Sequence, residues 1–346
     1  MTKVKDPQFR FIDLFAGVGG IRLGFEAAGG ECVFSSEWDP FAQKTYAENF
    51  GHVPHGDITK IVASEIPPFD VLAAGFPCQP FSSIGRREGF EHPTQGTLFY
   101  DVLRIIKHHE PRAFLLENVA GLKTHDGGRT MTVIEESLLE LGYDVWHRVL
   151  DAAGFGVPQH RDRIYIVGLR VDEAKRKPAV FSDSDLGGSL WSETEHASRF
   201  TFPKPARKAV GIGQFLESGV TGHSVSKHLQ QVYLFKRDDG RPEIVDQKSD
   251  LPVKTLVASY HKIQRLTGTF VRDGETGIRL LTASECKAIM GFPKSFKIPV
   301  SRTQMYRQMG NSVAVPVVKA IARNIAAALD EAEAVRRKRT RSKVAT

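Results

Sequence analysis

The sequence predicts an α/β fold: a doubly wound, mostly parallel sheet accompanied by a smaller, irregular domain. Three observations carry this expectation. Short apolar strands alternate with helical patterns through residues 1–170, the alternation is lost over 171–279, and it returns over 280–330. Strands that alternate with helices form a parallel sheet, because each connection must cross back over a sheet face.

FIDLFAG (11–17) reads as the first strand, followed by the helical IRLGFEAAG. ECVFSSE (31–37) and the helical FAQKTYAENF form the next pair. FDVLAAGF (69–76) has the continuous apolar run of a strand buried on both faces and precedes a helix around LFYDVLRIIKHH. AFLLENV (113–119), a helix near TVIEESLLELG, YDVWHRVL (143–150) and RIYIVGLR (163–170) complete the series. Residues 171–279 contain FPKPARK and KRDDGRPE and few periodic stretches, which marks a basic, loop-rich second domain. LTASECKAIMGF (281–292) and VAVPVVKAIARNIAAAL (313–329) have helical spacing, so residues 280–330 are expected to pack back onto the first domain.

Of the 346 residues, 41% are hydrophobic and 25% charged, the balance of a globular enzyme. No apolar run approaches the roughly 18 residues of a membrane helix, and the N-terminus lacks a signal-peptide core, so a cytoplasmic protein is expected. Three cysteines, Cys32, Cys78 and Cys286, form no CxxC and no disulfide framework, and no metal is expected. The net charge of +7 favours a polyanionic partner. Part of that excess lies in the basic tail, 331–346, where RRKRTRSK reads as a frayed, solvated terminus.

DLFAGVGG (13–20) turns from strand into helix, and Gly17, Gly19 and Gly20 let backbone approach a ligand closely. Glu37 ends the second strand 20 residues after Gly17, the offset of a carboxylate that accepts from ribose hydroxyls. The dinucleotide pattern GxGxxG fails because Arg22 holds its last position. A nucleoside ligand without a pyrophosphate therefore fits better. Trp38 can stack on a base, and Asp57, beyond the next helix, can bind a base amine.

Cys78 lies between Pro77 and Pro80, which allow neither helix nor ladder to continue through it. It is expected on a stiff loop at the carboxyl end of a strand, where open α/β sheets bind ligands. Glu117 ends another strand at the same edge, and Arg161 and Arg163, two apart, can share one face of an entering strand. Zinc nucleobase deaminase chemistry is excluded, since its HxE and PCxxC pattern would need a cysteine where Phe81 stands.

DLFAGVGG, GFPCQPFS, LLENV, QHRDR, LTASECKAIMGFP and QMGNSVAVPV, in this order, resemble the DNA cytosine-5 methyltransferases of bacterial restriction–modification systems. The resemblance implies a Rossmann-like, S-adenosylmethionine (SAM)-dependent methyltransferase fold, with catalysis and cofactor binding in 1–170 and a target recognition domain over 171–279. It also implies double-stranded DNA as partner, a monomer, and pairing with a restriction endonuclease. Cys78 would add to cytosine C6, Glu117 would bond N3 and the exocyclic amine, and Asn118 would support that geometry. Arg163 would hold O2, with Arg161 near the site and an adjacent phosphate. The cofactor would meet Phe15, Gly17, Val18, Gly19, Gly20, Glu37, Trp38, Asp57, Ile58, Gly75, Pro77, Leu98, Asn311, Ser312 and Val313. DNA would meet Gln79, Ser82, Arg86, Arg87, Thr255 and Leu256, with SSIGRREGFEHPTQG (82–96) as a lid over a flipped base.

Two rival readings belong to other classes. A catalytically idle DNA-binding relative conflicts with the intact PCQ, ENV and QxRxR. A tRNA-methylating branch of the same fold carries a CFT motif in its recognition region, whereas no cysteine occurs here between 79 and 285.

Overall fold

Side-chain alternation along β1 (Phe9–Leu14) sorts its residues onto two buried faces: Phe9 and Phe11 to one side, Ile12 and Leu14 to the other. The computed structural model describes residues 7–77, 98–171, 179–181, 200–205 and 208–344. After β1 come α1 (Gly20–Glu26), β2 (Gly30–Ser36), α2 (Pro40–Phe50), β3 (Val71–Ala74) and α3 (Leu98–His109). They are followed by β4 (Ala113–Val119), α4 (Arg129–Glu140), β5 (Tyr143–Asp151), β6 (Asp162–Arg170) and β7 (Val180–Phe181). The seven strands form one sheet in the order β2-β1-β3-β4-β6-β5-β7. Every pairing is parallel except those of β6, which runs antiparallel to both β4 and β5. β5 and β6 are joined without an intervening α-helix, so nothing carries the chain back across the sheet and the strand reverses.

The remaining elements are α5 (Lys227–Leu229), β8 (Glu243–Val245), β9 (Thr269–Val271), α6 (Ala283–Met290), α7 (Arg302–Asn311) and α8 (Val315–Val344). Val317, Val318, Ile321, Ile325 and Leu329 recur at helical spacing and bury α8 against the sheet face that also covers α1. α3 and α4 cover the opposite face through Val102, Ile105, Ile106, Ile134 and Leu138. A third core gathers Ile212, Val225, Leu234, Leu256 and Phe270 with Cys286, Ile289, Met305 and Met309.

β7 pairs with β5, and Phe200 packs on Trp146, so the first layer continues beyond 171. α6 and α7 share the core of the small domain and, with the chain between them, also meet the first domain, where Gln308 accepts from Thr45 Oγ1 and Phe296 packs on Phe50. α8 lies against the large sheet itself. The basic tail is not frayed but continues α8 to Val344. Alanine, glutamate, arginine and lysine are strong helix formers, and neither glycine nor proline interrupts them after Pro316. Contrary to the sequence expectation, Arg302–Ala334 contains an 18-residue window apolar enough to cross a membrane, and 61% of it is buried inside the fold.

Candidate active site

Strands β1 to β4 are parallel and end at one edge; β6, reversed, begins there, and β5 ends there. This topology gathers the glycine loop, Glu37, Gly75, Glu117, Asp151 and Arg163 from six strands at one edge. The order reverses between β1 and β3, the switch point at which such sheets bind ligands.

Glu117 and Arg163 project from neighbouring strands, and Arg163 Nε stands 3.2 Å from Glu117 Oε1. Burial pushes the Glu117 carboxyl above its ordinary pKa, with Arg163 and then Arg161 opposing it. A side-chain carbon at Gly75 would lie 3.6 Å from Glu117 Oε2, so the end of β3 runs directly beside that carboxyl. Asn118 Nδ2 donates to the Phe76 carbonyl at 3.0 Å while its Oδ1 accepts from Val119 N–H. Asn118 thereby ties β4 to the chain two residues before Cys78. Cys78, Gln79, Ser82, Arg86, Arg87 and the expected lid 82–96 lie outside the described residues.

Arg161 differs from its expectation. It precedes β6, is 2% exposed, and donates to the carbonyls of Leu256, Gly310 and Ser312. Burial and neighbouring Arg163 bring its guanidinium down to about 10. A phosphate in solvent does not reach it; instead it joins three chain segments. Leu256, expected at the DNA face, turns its side chain into the third core. Thr255 Oγ1 donates to the His160 carbonyl at 2.7 Å.

In the glycine loop, Phe15 and Gly17 both take positive φ, at 55° and 54°. Gly17 N–H donates to Glu37 Oε2 at 2.8 Å, and Asp39 N–H donates to Oε1 at 2.7 Å. Burial raises the Glu37 pKa against these bonds. Trp38, next in the chain, is 77% exposed. A Cβ on Gly20 would sit 2.7 Å from Ser312 Oγ, so the loop and the Asn311–Val313 turn meet there. Val18 and Ile58 are buried, Leu98 begins α3, and Pro77 is exposed at the same edge. Asp57 Oδ1 caps its own turn by accepting from Thr59 N–H and Oγ1.

The profile of the family described as C-5 cytosine-specific DNA methylase matches residues 9–327. The chain belongs to this family. It is a DNA (cytosine-5-)-methyltransferase with SAM as its methyl donor. It is 59% identical to Type II methyltransferase M.MspI of Moraxella sp. over 93% of this chain and 71% of that one. Identity to Type II methyltransferase M.BsuFI of Bacillus subtilis is 58%, over 90% of this chain and 71% of that one. Among solved structures, S. pombe Dnmt2 superposes with a TM-score of 0.68 at 20% identity, covering 94% and 99% of the two chains, a likeness of fold.

The residues present fit the methyl donor. Gly17 borders open space, with nothing within 4 Å of where its Cβ would be, and the exposed Trp38 ring stands next to Glu37 in the chain. The loop FAGVGG contains no cation for a pyrophosphate, and Glu37 beside it carries oxygens that can accept from ligand hydroxyls. Among the described residues, no group of three or more His, Cys, Asp or Glu side chains could hold a metal ion.

Sequence reasoning missed two features of the methyltransferase edge. Asp13 is fully buried with both carboxyl oxygens unpartnered, beside the equally unpartnered hydroxyls of Ser35 and Ser36, and burial pushes it up to about 8. Its place in DLFAGVGG was visible, but its complete burial was not. His160, inside QHRDR, bonds Asp151 through Nδ1 at 2.7 Å. Only the β5–β6 pairing brings these two together.

Proposed function

We propose that the enzyme methylates C5 of a cytosine flipped out of a short, specific duplex sequence, through a covalent adduct of Cys78 with C6. The pairing of Glu117 with Arg163, beside the strand end that leads to Cys78, is the observation that carries this reading. Cytosine C5 is a poor nucleophile. Attack of the Cys78 thiolate forms the S–C6 bond and moves the C5=C6 electrons onto C5 and N3. Burial raises the Glu117 pKa; in its protonated form the carboxyl donates to N3 as this charge develops, and Arg163 donates to O2. SAM supplies the electrophilic methyl group. Loss of the C5 proton to water then restores C5=C6 and expels the Cys78 thiolate. Glu37 accepts from the ribose hydroxyls, Trp38 stacks on the adenine and Asp57 accepts from its amine.

The small domain within 171–279 reads base edges, while catalysis stays on the large sheet. The Type II designation of the relatives supports host protection opposite a restriction endonuclease; action in the cytoplasm, as a monomer without a metal, belongs to the same proposal. Duplex DNA substituted throughout with 5-fluorocytosine tests the chemistry. With SAM it should trap a complex that survives denaturation, and Cys78→Ala should abolish the trap. An alanine variant that still methylates would remove Cys78 from the mechanism.

A further inference from the structure

At the seam between the catalytic edge and the small domain stands an imidazole that the mechanism above does not use. His160 Nδ1 lies 2.7 Å from Asp151 Oδ2, and Asp151 is itself fixed by N–H donors from Ala153 and Arg161 at 3.1 and 2.9 Å. Its hydrogen bonds to these three groups hold the Asp151 carboxyl below the ordinary carboxylate range. An ionised Asp151 selects the tautomer with the proton on Nδ1 and leaves Nε2 facing outward. The side chain is 59% exposed. The backbone around it is held on both sides, by His160 N–H to Val253 O at 2.8 Å and by Thr255 Oγ1 to His160 O at 2.7 Å.

Arg163 lies three residues further along the chain, a span of about 10 Å at most. A duplex that delivers a base to Glu117 and Arg163 meets the same sheet edge, where Asp151 holds His160. The charged groups around the ring are Asp151 on β5, Asp162 and Arg163 at the start of β6, and Lys254 and Glu243 across the seam. Arg161 is turned away into its three carbonyls.

We propose that His160 is a DNA phosphate contact beside the target nucleotide, with Asp151 holding its ring so that Nε2 donates to the phosphate as an imidazolium. The neutral ring presents a lone pair at Nε2 and repels the same oxygen. DNA binding through the protonated ring takes up a proton, so affinity falls as pH rises. The inference rests on DNA as the substrate but not on the covalent step.

The test measures the Kd of a short mixed-sequence duplex against salt at pH 6 and at pH 8, with SAM affinity confirming an intact fold. At pH 6, His160→Ala should weaken binding about tenfold, the size of one charged hydrogen bond. It should also reduce the slope of log K against log salt by about 0.9. The loss should be smaller at pH 8. His160→Lys should restore affinity and make it independent of pH across that range. An alanine variant with the parent's salt slope and pH dependence would overturn the assignment, as would a lysine variant that fails to restore binding.

Discussion

Asn118 Nδ2 reaches the backbone carbonyl of Phe76 at 3.0 Å, joining β4 to the segment that leads into Cys78. The bond couples the chain that leads to Cys78, the proposed nucleophile, to the strand that carries Glu117. Removing it frees the chain before Cys78 without touching the cofactor residues. Asn118→Ala should lower the single-turnover methylation rate about 100-fold, the cost of roughly 1 Å of misplacement. SAM affinity by calorimetry should stay within error of the parent. A variant whose loss appears in SAM binding instead would place Asn118 in the cofactor site.

Arg161 donates to three carbonyls from two distant segments, two of these bonds being buried and the one to Ser312 partly buried. Arg161→Met should therefore destabilise the fold by about 3 kcal/mol or more in urea denaturation, since each stranded buried acceptor costs about 1–3 kcal/mol. Arg161→Lys should recover part of that loss, because an ammonium cannot reproduce the planar fork. A methionine variant with parental stability would show that the three carbonyls find water.

Asp13 is pushed up to about 8 from an ordinary 3.8, chiefly by burial, with the Arg22 guanidinium opposing. Between those values the native state holds a proton that the unfolded chain has released. Stability therefore falls as pH rises through this window. Asp13→Asn removes the titrating proton and keeps the shape. The melting temperature of the variant minus that of the parent should grow steadily from pH 5 to pH 8. A difference that stays constant over that range would mean that Asp13 titrates normally.

The sheet was legible because its strands are continuous apolar runs with Gly- or Pro-bearing ends; β4 falls on the expected AFLLENV. α7 was not legible, since Arg302, Gln304, Arg307 and Gln308 dilute its apolar stripe and Gly310 interrupts it, although Met305, Tyr306 and Met309 bury it. The edge positions of Glu37, Glu117 and Arg163 were legible because each stands at a strand end, where spacing alone indicates the edge. The anchoring of Arg161 was not. Its motif placed it near Arg163, but the three carbonyls that it bonds come from residues 95 to 151 positions away, beyond the reach of local pattern. The buried surroundings of Asp13 depend likewise on β2 lying beside β1.

The bond from Arg161 to Leu256 goes to main chain. A carbonyl oxygen is the same whatever side chain follows it, so this tether places little demand on the identity of nearby residues. The segment proposed to read the DNA sequence can thus change composition while its anchor to the chain entering β6 stays chemically constant. New target sequences become accessible through substitutions that the reaction centre does not register, and divergence in specificity need not compromise catalysis.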